Sequence, residues 1–230
     1  MTVAANLAAV RARIDAAARG CGRDPSTVRL IAVSKTKPEA AIREAYAAGQ
    51  RAFGESYAQE LERKAQALED LPDLEWHYIG HLQSNKAKIL ARWAHVTHTV
   101  DGEALAEALG RRVKAAGRAP HPVLVEVKLS REPTKHGASP EELEDVLRAV
   151  EAQDGLRLRG LMTMPELGDL EAAKRAFSTL ASLRNLHGGA ARLPELSMGM
   201  SGDLEVAVAC GATLVRVGTA IFGERLLPAE

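Results

Sequence analysis

The sequence predicts an α/β protein: a single (β/α)8 TIM-type barrel over residues 1–230, with one extra helix at its N-terminus. Two observations carry that expectation. Eight short β-like runs alternate with longer helical patterns, which implies a parallel sheet, and eight is the number of strands that closes a barrel. The chemically unusual residues also fall just after those runs, at the strand ends where barrels build their sites. An open doubly wound sheet is the alternative. It is weakened because no G-x-G-x-x-G follows the first strand and no G-x-x-x-x-G-K-[ST] loop occurs.

Taken in order, an opening helix is expected over about residues 3–20. The first strand, 28–34, is Val28-Arg-Leu-Ile-Ala-Val-Ser34, with Lys35 directly after it. Pro38-Glu39 suits the first turn of a helix over 38–48, which Gly49 ends. Strand 51–53, helix 56–69, strand 76–79 and helix 84–92 follow. Strand 95–100 leads to a helix at 102–116, with Asp101 as its cap and Gly117 past its end. After strand 122–129, Ser139-Pro140-Glu-Glu resembles an N-cap with proline at the first position of a helix over 140–153. Strand 156–162, helix 169–187, strand 194–198, helix 202–210 (ended by Gly211) and strand 213–217 complete the alternation.

Lys35 is the most informative residue. Ile31, Val33 and Lys35 share one parity, so a strand would aim two β-branched side chains and an amine at the same face. An ammonium there must pair with an anion or lose its proton. Desolvation lowers a lysine pKa from about 10.4 toward the range where the amine is a nucleophile. The plain alternative is an exposed lysine at a strand end.

Other strand ends add context. Ser197-Met-Gly-Met-Ser201 and Gly218-Thr219 offer hydroxyls and glycine turns, a chemistry that binds phosphate without a lysine. They stand after strands 7 and 8, where barrels often hold phosphate, although either segment alone reads equally well as a tight turn. Arg216 shares parity with Leu214 and Gly218, opposite to Val215 and Val217. If the valines pack against helices, Arg216 points inward and needs an acceptor, either an acid such as Glu126 or a ligand. A lysine nucleophile, a phosphate cradle and an arginine facing a ring acceptor together describe pyridoxal 5′-phosphate (PLP), with Lys35 as its Schiff-base partner. A permanent cation at the pyridine nitrogen disfavours a pyridinium and makes the ring a poorer electron sink than an aspartate would.

Composition narrows the classes. Lys+Arg and Asp+Glu are both 30, so the net charge is zero and no basic surface for nucleic acid is expected. No apolar run reaches the roughly 20 residues of a membrane span. The N-terminus lacks the pattern of a signal peptide. Cys21 and Cys210 form no metal or redox motif and read as free thiols. A cytoplasmic protein is expected. His95 and His98 hint at metal, but no third ligand has fitting spacing, and a structural role is the stronger reading.

Six segments, in collinear order, resemble the PLP homeostasis proteins (the proline synthetase co-transcribed family). They are Ala32-Val-Ser-Lys-Thr-Lys-Pro38, Phe53-Gly-Glu-Ser-Tyr57, Trp76-His-Tyr-Ile-Gly-His-Leu-Gln-Ser-Asn-Lys86, Gly160-Leu-Met-Thr-Met-Pro165, Leu196-Ser-Met-Gly-Met-Ser201 and Val215-Arg-Val-Gly-Thr-Ala-Ile-Phe-Gly223. That family is similar to the N-terminal barrel of alanine racemase and other fold-type III PLP proteins. The resemblance implies that Lys35 carries PLP, that Ser197, Ser201, Gly218 and Thr219 hold its phosphate, and that Arg216 faces its pyridine nitrogen. Met164 and His77 lie in motifs that line the pocket. Ser56 stands where the family usually has asparagine, so a cofactor contact there is shortened or lost. Lys135 matches a recurrent lysine near the barrel mouth, either a second aldehyde contact or an exposed loop lysine.

The resemblance implies buffering and delivery of PLP without robust turnover, by a monomer, with apo PLP-dependent enzymes as acceptors. Alanine racemase draws a second acid/base, a tyrosine, from its C-terminal domain. Here the sequence stops at Glu230, and Tyr46, Tyr57 and Tyr78 all precede residue 80. Two other readings stay open. One is a monomeric racemase pairing Lys35 with Tyr57, Tyr78 or His77. The other is a cofactor-free Schiff-base aldolase, which would gain nothing from Arg216.

Overall fold

The computed structural model describes residues 2–130, 132, 135–166 and 168–224. Its eight strands are β1 (Arg29–Val33), β2 (Ala52–Glu55), β3 (Glu75–Tyr78), β4 (Val96–Val100), β5 (His121–Glu126), β6 (Leu156–Met162), β7 (Glu195–Ser197) and β8 (Leu214–Val217). All neighbours pair in parallel and in chain order, and β8 returns to β1, so the sheet is a closed barrel. This is the expected (β/α)8 architecture. Helix α1 (Val3–Gly20) precedes β1, with Thr2 Oγ1 accepting from Ala5 N at its start. The connecting helices are α2 (Glu39–Ala47), α3 (Ala58–Ala67), α4 (Ala87–Trp93), α5 (Glu103–Ala115), α6 (Leu143–Glu151), α7 (Leu170–Leu186) and α9 (Leu204–Ala209). Two further helices escaped the sequence reading, α8 (Gly189–Arg192) and α10 (Thr219–Phe222), each a single turn too short to show a period.

The period of two along each strand sorts the barrel into two cores. Leu30, Ala32, Phe53, Trp76, Tyr78, Val123, Val125, Leu161, Leu196, Val215 and Val217 face the helices. Ile31, Ala52, Leu124, Met162 and Leu214 face inward and plug the barrel, with Val96 and Met164 packed against them. The sequence parity at strand 8 therefore holds, with the valines outward and Arg216 inward.

Helix starts were less legible. Asp101 does not cap α5; Gly102 takes the cap position without a side-chain bond, and the Asp101 carboxylate lies 3.6 Å from His81 instead. Ser139 does form a reciprocal pair with Glu142, each side chain accepting from the other's backbone N–H, but one turn ahead of the first α6 residue.

Candidate ligand site at the barrel mouth

One period beyond the inner plug lie Val33, Gly54, Glu126, Met164 and Arg216, and these bring the strand ends together as a mouth. β1 stops at Val33, so Lys35 stands just past the strand, in a turn closed by Lys37 N donating to Ser34 O at 3.0 Å. Lys35 is half-buried. Lys37 faces away from this role: its ammonium donates to the carbonyls of Phe222, Gly223 and Glu224 at 3.1, 3.0 and 2.6 Å. That clamp ties the Lys35 turn to the end of α10.

The pairing of β1 with β8 sets Ile31 beside Arg216 and Ala32 beside Val217. Gly218 follows, and a Cβ built there would meet Val33 Cβ and Val33 O at 3.3 Å, so a side chain would crowd the two strand ends where they approach. Thr219 Oγ1 donates to Ser201 Oγ at 3.0 Å, which joins the loops after β7 and β8. Gly199, between Ser197 and Ser201, has φ +96°, and a Cβ there would meet Ala207 Cβ at 2.5 Å. The turn that swings Ser201 toward Thr219 thus depends on a missing side chain.

Ser197 is placed apart from Ser201 and Thr219. Leu196 packs outward, so Ser197 points into the barrel, where its buried hydroxyl accepts from Arg216 Nη1 at 2.6 Å and meets His98 Nδ1 at 2.9 Å. His98 Nε2 in turn meets His77 Nδ1 at 2.9 Å, and His77 Nε2 lies 3.7 Å from Glu75 Oε2. An arginine can only donate and a carboxylate only accept. One orientation suits this order, with Ser197 Oγ–H given to His98 Nδ1 and His98 Nε2–H given to His77 Nδ1, while His77 Nε2 faces the Glu75 carboxylate without a hydrogen bond. Both imidazoles are neutral. Burial holds His98 well below the usual imidazole range and also lowers His77. At the far end, His77 first and then Arg29 pull the Glu75 carboxyl down to about 2. His77 thus supports Arg216 from below rather than lining the mouth.

Arg216 is 3% exposed and also donates from Nη2 to Thr163 O at 2.9 Å. No direct ion pair joins it to Glu126, but each feels the other across the barrel. Burial lowers Arg216 to about 10, so it stays cationic near neutrality. Glu126 is pushed up to about 7 by burial and then by Asp101, against the pull of Arg216 and Lys135. Such a carboxyl holds its proton more tightly folded than unfolded. Its contribution is complete below the ordinary value of 4.5 and is lost as pH rises through about 7, up to roughly 3 kcal/mol in all. Glu126→Gln is expected to flatten that decline, read as denaturant midpoints at about pH 5 and about pH 8. An unchanged pH slope would remove Glu126 as its source.

Met164 packs against the inner plug, and Ser56 is half-buried just past β2. Lys135, half-buried, lies 3.9 Å from Glu132. The metal hints dissolve into hydrogen bonds: His95 Nδ1 accepts from Trp76 N at 3.0 Å, and His98 belongs to the run above. His81, Asp101 and His136 do gather at the rim. However, the two imidazoles stack at 3.6 Å with planes 16° apart, so their in-plane lone pairs run side by side instead of converging on one ion.

Sequence reasoning passed over Glu55, Glu60 and Lys64. Lys64 was detectable, because it sits on the helix face defined by Ala58, Leu61 and Ala65, all buried, where a charge is out of place.

Similarity to known proteins agrees with this geometry. Residues 5–226 match the family model of the alanine racemase N-terminal domain. A protein of Pseudomonas aeruginosa named pyridoxal phosphate homeostasis protein is 50% identical over 97% of this chain and 96% of its own length. One of the same name from Escherichia coli K12 is 43% identical over 97% of both. Among solved structures, PipY of Synechococcus elongatus, determined with PLP bound, is 42% identical with a TM-score of 0.82, covering 96% of this chain and all of PipY. Alanine racemase from Corynebacterium glutamicum, 20% identical with a TM-score of 0.67, shares the fold. The chain has the barrel of the alanine racemase N-terminal class. Within that class it belongs to the pyridoxal phosphate homeostasis protein family.

Proposed function

We propose that this protein holds PLP at the barrel mouth, attached through Lys35, and that it buffers the cofactor and passes it to apo PLP-dependent enzymes without robust turnover. It does so as a monomer in the cytoplasm. The observation that carries the reading is the β1–β8 seam, where the turn bearing Lys35 adjoins Arg216, Gly218 and Thr219. The residues fit the group: an amine, a pair of bonded hydroxyls beside a closely packed glycine, and a buried guanidinium. Bound PLP supplies an aldehyde with which the lysine amine condenses, releasing one water. Ser201, Gly218 and Thr219 would hold the phosphate, Arg216 the ring nitrogen, and Met164 and Ser56 the rim.

The tyrosines favour storage over racemisation. Tyr46 donates its hydroxyl to Asp73, away from the mouth. Tyr78 packs outward toward the helices, donates to His81 O at 3.1 Å and is pushed up to about 12 by burial. Tyr57 is 53% exposed, and an exposed phenol gives no control over a proton. Among the described residues, no helix is long and apolar enough to cross a membrane.

The test is spectroscopic. Protein incubated with PLP should turn yellow, with absorbance near ~420 nm from the cofactor's link to lysine, and borohydride should fix the label on Lys35. Transfer to an apo-enzyme should outpace release into buffer. A spectrum unchanged by PLP would end this reading, and α-proton exchange of alanine at enzyme-like rates would replace it with the racemase.

A further inference from the structure

The Lys64 ammonium on α3 is fully buried, yet its charge is met: it donates to Ser34 O at 2.7 Å and Glu55 Oε1 at 2.8 Å and pairs with Glu60 Oε1 at 2.8 Å. A lysine is retained in such a place only when its donors are met. All three acceptors lead to the residues that flank Lys35. Ser34 gives its carbonyl to Lys64 and donates its hydroxyl to Glu55 Oε1 at 2.6 Å. Glu60 Oε1 accepts from Thr36 N at 2.7 Å.

Thr36 is the position under stress. It is the third residue of the Ser34–Lys37 turn, and its φ of +63° is the one left-handed value of a non-glycine among the described residues. Turns of this kind ask for glycine there, and a β-branched residue holds that conformation only under strain. Such strain persists only where the surroundings over-determine the backbone. Glu60 on one side and the hydrogen bond from Lys37 N to Ser34 O on the other supply that restraint. Lys35 occupies the corner between them.

We propose that Lys64, with Glu55 and Glu60, is a positioning device: it fixes the strained turn and so sets the direction of the Lys35 amine. The proposal rests on Lys35 holding PLP. Its signature is selective. A residue that acts by aiming the amine matters to a ligand that must meet that amine, and not to one that only fills the cradle.

The test uses the full chain and two ligands, PLP and 4′-deoxypyridoxine 5′-phosphate, which keeps the ring and phosphate but lacks the aldehyde. Lys64→Met should weaken PLP binding about tenfold or more and leave the analogue within about twofold of the wild type. Glu60→Ala, which frees Thr36 N and removes one of the two carboxylates beside Lys64 at a less buried residue, should give a smaller loss of the same selective kind, and it decides the matter if Lys64→Met does not fold. Equal weakening of both ligands would reduce the cluster to a structural role and overturn the proposal, as would wild-type affinity for PLP in the variants. Failure of borohydride to label Lys35 in the wild type would overturn the functional reading itself, a result distinguishable from either of these.

Discussion

Lys35→Ala is expected to abolish borohydride-fixable PLP and to raise the dissociation constant about 100-fold or more, equivalent to roughly 3 kcal/mol. The magnitude follows from what remains. On the proposed assignment Ser201, Gly218, Thr219 and Arg216 would still offer phosphate and ring contacts, so binding should persist in weak form with the absorbance of free aldehyde. Two neighbouring lysines are engaged elsewhere. The Lys37 ammonium is spent on three backbone carbonyls, and Lys64 is locked on its helix side of the strand. Lys135, half-buried with Glu132 beside it, is an amine that could compete for the label. Mass spectrometry after borohydride reduction checks the outcome, and a label of undiminished yield in Lys35→Ala would move the attachment point to another lysine.

Arg216→Ala should be the most destabilising single change at the site, by about 3–5 kcal/mol. It strips the Ser197 hydroxyl and the Thr163 carbonyl of their donor, leaves a cavity, and removes the cation that restrains Glu126. The loss should depend on pH. Near pH 5 Glu126 carries its proton with or without the arginine. Above about 7 the wild type gains attraction between the two charges, whereas the variant must bury a lone carboxylate or keep it protonated. The destabilisation is therefore expected to grow from about pH 5 to about pH 8, read by denaturant unfolding, with PLP retention falling in parallel. A penalty independent of pH would uncouple Arg216 from Glu126, and an unchanged dissociation constant would refute its ligand role.

Alternation of short apolar runs with helical stretches was enough to anticipate the closed barrel, because each strand alternates between two different cores and each helix buries one face. Parity reached further at strand 8, separating Arg216 from Val215 and Val217 without any structural information. It reached too far at Lys35, which stands in a turn where the strand period no longer applies. Motif reading, for its part, grouped Ser197 with Ser201 by their hydroxyls, although one residue faces the barrel interior and the other the rim. The partners of Lys64 were hidden for a different reason. Glu55 and Ser34 lie 9 and 30 residues away and meet it only after β1, β2 and α3 have packed. The cap expected at Asp101 missed by one residue and the one at Ser139 formed about a turn early, because helix ends are set by local hydrogen bonds that compete with one another.

The β1–β8 seam has a consequence for how the molecule comes into being. Its two sides, Lys35 and the Arg216 to Thr219 segment, are separated by almost the whole sequence, so the ligand-holding geometry arises only when the last strand docks on the first. Loop-closure entropy makes such long-range pairing late and slow. A growing chain on the ribosome carries the lysine early yet lacks the cradle until residues 216–219 have been added. Any ligand that bridges the seam favours the closed barrel by mass action and slows its opening. The cofactor would then serve as a molecular clasp, and a drop in its supply would register first as fraying between the earliest strand and the latest.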